Sequence, residues 1–204
     1  MGFLSGSLGL TRYRIVEPVP DSFWSQALDK LKHRSFRDID QGVEERSFGW
    51  VCFDDILDSN WKTAPPEKGE YLAFCLRLDT RRVPAAVFKK HFQLALRELQ
   101  SRMREQGQKF VTKDQKTELK ESVALRLRSR TLPIPAYFEV VWSIRRSEVY
   151  LASTRDSVRA LFEELFEISF GLHLEMQTPY FLALTRMGER KKILDDMEPT
   201  SLVL

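Results

Sequence analysis

Between Pro84 and Arg130 the apolar residues recur at the three- and four-residue spacing of α-helices on both sides of a short polar break, and this constrains the chain more than any other feature. Phe88, Phe92, Ala95, Leu96, Leu99 and Met103 predict a helix from Pro84 to about Gln106, opened by the proline and stopped by Gly107. Thr112, with Gln115 three positions on, is a capping-box signature, and Leu119, Val123 and Leu127 carry a second helix to about Arg130. The link from Gln106 to Val111 is short enough to fold the two into an antiparallel hairpin.

The flanks read differently. Before the hairpin, Leu10–Val16 alternates as a strand, Pro20 and Asp21 open a helix to about Lys32, and Phe48–Phe53 and Tyr71–Leu78 read as strands on either side of a Pro65-Pro66 loop. In the third of these strands Leu72, Phe74, Leu76 and Leu78 are expected on one side, with Ala73 and Cys75 on the other. After it come strands over Tyr137–Ile144 and Glu148–Ala152, a helix over Arg155–Ile168, and a short strand around Leu172–Leu174. The expected class is α+β: a mixed or antiparallel sheet body with a projecting antiparallel helical hairpin. Residues 10–83 and 131–185 form the discontinuous body, 84–130 the hairpin and 186–204 a C-terminal tail.

Charge follows the same division. The chain of 204 residues carries a net charge of only +3, but residues 77–131 hold 15 Lys/Arg against 6 Asp/Glu, a surplus of nine, while both flanks are slightly acidic. Such polarity favours a polyanion. Lys90, Arg97 and Arg104 recur every seven residues away from the apolar stripe, joined by Lys89, and Lys113, Lys116 and Lys120 are three or four apart on the second helix. Arg81 and Arg82 stand just before Pro84, at the hairpin base. These nine are the candidate DNA contacts. Lysine and arginine neutralise phosphates without reading bases, so weak sequence preference and a strong salt dependence are expected. Arg126, Arg128 and Arg130 either extend this surface or cap the helix end. Phe110, at the turn, is a candidate protein contact or a wedge against stacked bases, or else a tucked-in loop residue.

Catalytic motifs are sparse. Asp54-Asp55 follows a strand but lacks further ligands at metal-binding spacing, and Glu118-Leu119-Lys120 falls inside a helix. Asp195-Asp196 reads as a solvated tail pair. Cys52 and Cys75 sit in apolar stretches and read as buried small hydrophobes, and His33, His91 and His173 are too scattered for a metal site. No phosphate-cradling glycine loop is present, so no cofactor, no metal and no enzymatic activity are expected. No stretch approaches a membrane span, which makes cytoplasm the expected compartment.

Across Leu10–Ala183 the sequence resembles the bacterial recombination-associated RdgC family. The resemblance is plainest in Phe48-Gly49-Trp50-Val51, in Lys109–Val123 with Leu119-Lys120-Glu121-Ser122-Val123 at its centre, and in the strand–turn–strand–helix region Val140–Phe166. It implies a nucleoid-associated protein that binds double-stranded DNA without sequence specificity, self-associates into a ring-like dimer, and restrains a recombinase. Single-stranded DNA is a further candidate partner. It also implies that the hairpin is a tip used in dimer contact, where Phe110 falls by position, with basic residues lining the inner surface. The family's usual C-terminal portion has no counterpart after Leu204, so an open clamp is expected as readily as a closed ring.

Overall fold

The fold was taken from a computed structural model that describes residues 2–107 and 110–187, together with Leu194 and Asp196. The elements follow in the order β1 (Thr11–Ile15), α1 (Asp21–Trp24), α2 (Ala27–His33), β2 (Arg46–Cys52), β3 (Glu67–Lys68), β4 (Tyr71–Thr80), α3 (Ala85–Glu105), α4 (Lys113–Arg128), β5 (Ile134–Ser143), β6 (Glu148–Leu151), α5 (Asp156–Phe170), β7 (Leu174–Met176) and α6 (Pro179–Met187). The seven-stranded sheet runs β2-β4-β5-β6-β1-β7, with β3 paired to β4. Pairing is antiparallel in β1 with β6 and β7, in β5 with β6 and in β3 with β4. This is an α+β fold. Among the described residues no helix is long and apolar enough to cross a membrane.

The chain divides into two compact units, one of residues 1–35, 50–76 and 138–204, the other of residues 36–49 and 77–137. The first is organised by aromatic side chains. From α5, Phe162, Phe166 and Phe170 come from successive turns and so share one face. They meet Trp142 of β5 and Trp50 of β2, with Trp50 edge-on to Phe74 at 5.0 Å and Trp142 5.2 Å from Phe166. Trp50, Trp142, Phe74, Phe162 and Phe166 are fully buried, each contributing roughly 2–3 kcal/mol from burial alone. Trp50 Nε1 donates to Ser169 Oγ at 2.8 Å, which satisfies the indole inside the core. Gly171, at φ 68°, closes α5 in the left-handed conformation that glycine adopts without strain.

The second unit contains the hairpin. Ala95, Val123 and Leu127 are buried between α3 and α4, with Val83, Phe88, Phe92 and Leu119 packed against them. The unit is wider than residues 84–130, because residues 36–49, the end of β4 and the start of β5 belong to it. Arg77 shows why: its guanidinium lies 4.0 Å over the Phe36 ring and forks onto Asp79, with contacts of 2.9 and 2.8 Å.

Several boundaries differ from expectation. The helix expected to about Lys32 is broken after Trp24, where Phe23 and Trp24 both turn onto Trp142, at 5.4 and 5.0 Å. Leu72–Leu76 of β4 are buried without interruption, so both of the apolar sides expected of that strand are covered, Cys75 included. The last strand is displaced to Leu174–Met176. A helix, α6, occupies the segment after Thr178, where none was expected. The expected tail 186–204 lies outside the described residues from 188 on, apart from Leu194 and Asp196.

Candidate nucleic-acid interface

The hairpin forms as its apolar spacing requires. With 21 residues α3 is about 30 Å long, and Gly107, at φ 79°, ends it. The capping box at the start of α4 is formed: Thr112 N donates to Gln115 Oε1 at 3.0 Å and Gln115 N donates to Thr112 Oγ1 at 3.2 Å. These two bonds satisfy helix-end N–H groups on an exposed segment and fix the first turn that carries Lys113 and Lys116.

The structure keeps eight of the nine candidate cations on the surface. Arg82, Lys89, Lys90, Arg97, Arg104, Lys113, Lys116 and Lys120 are all exposed. Among the described residues none of the eight has a carboxylate within ion-pair distance. Lys90, Arg97 and Arg104 share a stripe opposite the buried Ala95 and Met103. Helical spacing also puts Lys113, Lys116 and Lys120 on one flank of α4, leaving Asp114, Glu118 and Glu121 on another.

Two cavities show which side chains the folded hairpin brings together. Near the turn, Arg104 of α3 and Lys116 of α4 line one cavity of about 230 Å³ with Leu96, Gln100, Met103, Phe110 and Val111. Towards the base, Lys120 lines a second of about 600 Å³ with Val83, Ala85, Phe88, Thr117 and Ala124. A third recess contains His91 and Glu98 of α3 with Arg126 and Arg130. Arg104 and Lys116 are thus brought to one cavity, whereas the cavity with Lys120 also has Glu45 and Glu121 on its wall and the recess with Arg126 and Arg130 has Glu98. Phe110 is 84% exposed at the turn, which removes the tucked-in alternative.

Arg81 is a correction to the expected set. It is only 4% exposed. Its Nη2 donates to Ile39 O at 2.7 Å and Asp40 O at 3.4 Å, and its Nη1 donates to Gly42 O and, at 3.2 Å, to Arg128 O. A guanidinium committed to four carbonyls ties residues 39–42 to the end of α4 and has no free donor fork for a phosphate. Arg128, one of the undecided arginines, pairs with Glu45.

The acidic candidates are occupied locally. Asp54 pairs with Lys68 at 2.6 Å, and Asp55 accepts from Leu57 N at 3.0 Å and Thr63 Oγ1 at 3.3 Å. Among the described residues no three His, Cys, Asp or Glu side chains come together to hold a metal. His91 is half-buried on α3, and Asp195 lies outside the described residues. Cys52 and Cys75 are buried free thiols, with burial pushing the Cys75 thiol well up. What sequence reasoning missed is the cavity at the hairpin base: Phe88 reads as a packing residue, and no local pattern marks the space beside it.

No curated protein matches the chain. A family model described as "Putative exonuclease, RdgC" matches residues 9–175, a span that takes in β1 through α5, the start of β7 and the whole hairpin. With so much of its length matched, and with the matched span centred on the basic hairpin, the chain belongs to the RdgC family.

Proposed function

We propose that this protein binds DNA without reading its sequence, through the lysine-bearing flank of the hairpin and the adjoining outer stripe of α3. The observation that carries this reading is the set of eight exposed cations concentrated at the hairpin with no ion-pair partner among the described residues, Lys113, Lys116 and Lys120 sharing one flank of α4 away from Asp114 and Glu118. Charges already paired within a protein gain little from a phosphate; unpaired ones displace counterions from it. Their long, flexible side chains contact phosphate oxygens and carry no base code. Duplex DNA is the leading target, and family membership connects the binding with recombination, where the protein would coat DNA and restrain a recombinase.

Binding of fluorescently labelled duplexes of unrelated sequence, titrated across salt concentration, tests this. Six phosphate contacts correspond to a log-affinity against log-salt slope of about −5. Absence of any salt-sensitive affinity for DNA overturns the reading. The exonuclease in the family description is a competing activity. It would require carboxylates to leave the Lys68 and Thr63 contacts that now hold Asp54 and Asp55, and divalent-dependent shortening of labelled DNA, lost in Asp54→Asn, would establish it.

Phe110 favours a second role for the same hairpin. A phenyl ring 84% exposed at a turn gains by being covered, and a second copy of this chain is the proposed cover. Because Phe110 lines the cavity near the turn together with Arg104 and Lys116, a second copy covering the ring would lie beside part of the DNA-binding flank.

A further inference from the structure

The cavity at the hairpin base has more structure than a phosphate surface needs. Its wall is assembled wholly within the hairpin's unit, and it holds about 600 Å³, within the range of pockets that enclose small organic ligands. Val83, Ala85, Phe88 and Ala124 supply an apolar lining, and Phe88 is half-buried, with its ring stacked parallel to Phe92 at 6.0 Å. Lys120 stands at the same cavity with no ion-pair partner among the described residues, whereas Arg128 is neutralised by Glu45. Glu121 also lines the wall, and its carboxylate has no ion pair or hydrogen bond among the described residues.

An apolar floor with an aromatic ring, a free ammonium and a free carboxylate together specify a ligand with three parts. The ligand needs a flat apolar face, an anion beside it, and N–H donors on an edge. A nucleotide unit has all three. Its phosphate suits Lys120, its base suits the Phe88 surface, and the N–H groups of the base's pairing edge suit Glu121. In a duplex the faces are stacked and the pairing edges are occupied, so only an unpaired, unstacked nucleotide fits.

We propose that this cavity is a nucleotide site, in which one unstacked base lies against Phe88 with its phosphate on Lys120. The inference rests on the DNA-binding reading for the source of the ligand and deepens it: the lysine flank holds the backbone, and the cavity at its end distinguishes a strand with an unpaired base from an intact duplex. A free nucleotide has the same chemistry and is separated from a strand by the test below.

The experiment compares wild type with Ala124→Trp, which fills the cavity, and Phe88→Leu, which keeps an apolar side chain but removes the ring. Neither position belongs to the exposed cations of the flank. The probes are a single-stranded oligonucleotide with 2-aminopurine at one position and a blunt duplex of the same sequence, with circular dichroism checking that each variant is folded. Wild type should change the 2-aminopurine emission of the single strand on binding. Single-strand affinity should fall about tenfold in Ala124→Trp and about fivefold in Phe88→Leu, the low end of the loss when a base–aromatic stack is removed. Duplex affinity should stay within twofold in both. Displacement of the oligonucleotide by deoxyadenosine monophosphate assigns the site to free nucleotides as well as strands, and failure to displace it assigns the site to a strand. Single-strand affinity retained in both folded variants overturns the proposal and leaves the cavity to a protein segment; equal loss for single strand and duplex overturns it too. If wild type binds neither probe, the DNA-binding reading itself falls, whereas duplex binding with no discrimination by the variants removes the nucleotide site alone.

Discussion

Arg104, near the end of α3, and Lys116, in the first turn of α4, line the same small cavity across the hairpin, so two cations from different helices reinforce one patch of potential. Neither is held by a carboxylate among the described residues. Replacing Arg104, Lys113, Lys116 and Lys120 together by Glu should abolish measurable binding to any duplex. Each single Lys→Gln change should reduce the salt slope by about one and weaken unrelated sequences alike. Fluorescence anisotropy at several salt concentrations gives both quantities, and a loss confined to one sequence would point to base readout instead.

Arg81→Met should leave DNA affinity per folded molecule unchanged and lower stability by about 3 kcal/mol, because four buried or half-buried carbonyl contacts lose their donor. Urea denaturation followed by circular dichroism supplies the stability. A variant as stable as wild type but weak on DNA would return Arg81 to the surface set.

Thr112→Ala removes one half of the capping box and should cost about 1 kcal/mol, with the first turn of α4 fraying. Hydrogen exchange should show faster amide exchange at Gln115 while the amides of α5 remain unchanged. Since Lys113 and Lys116 sit in that turn, a modest fall in DNA affinity should accompany it.

Phe110→Ala should not disturb folding, since the ring is exposed, but should reduce the mass in solution seen by analytical ultracentrifugation if the tip joins two copies. An unchanged sedimentation profile, with and without duplex DNA, rejects Phe110 as the contact.

His173 donates from its backbone to Glu17 at 2.8 Å, and its ring contacts Glu17 and, at 3.1 Å, Glu167. The side-chain hydrogen bond with Glu17, followed by the charges of Glu17 and Glu167, raises the histidine pKa, and the bonds from His173 lower that of Glu17. The histidine's contribution to stability is therefore complete below its unfolded value of about 6.5 and is lost as pH rises through the higher folded value. The Glu17 contribution runs the other way and is lost only as pH falls through its depressed folded value. Urea midpoints of His173→Gln should lie below wild type at about pH 6 and converge with it in alkaline buffer; a gap that widens with pH would contradict this linkage.

The hairpin was the most legible part of the chain because its signals are local. Phe88 through Met103 repeat at helical spacing, Gly107 and Thr112 punctuate the turn, and Gln115 completes a cap whose atoms meet as the spacing requires. The helix break after Trp24 was hidden because its cause, Trp142, is remote in sequence. Arg81 illustrates a different limit. Charge suggests exposure for an arginine, and only the fold supplies the carbonyls of residues 39–42 that make its burial tolerable. The cavity beside Phe88 was invisible for a related reason: spacing assigns a residue to a face but cannot show that the partner helix leaves part of that face uncovered.

All four tryptophans of the chain, Trp24, Trp50, Trp61 and Trp142, lie in the unit built around α5, and the unit that carries the hairpin has none. Optically, the protein is therefore half dark. Its native emission reports the melting of one unit and is silent on the other, so coincidence of that signal with far-ultraviolet dichroism, to which α3 and α4 contribute, asks directly whether the two halves unfold together. An indole introduced into the hairpin would place a reporter in that unit, and the difference between its emission and that of the parent protein would follow the arrival of a polyanion there.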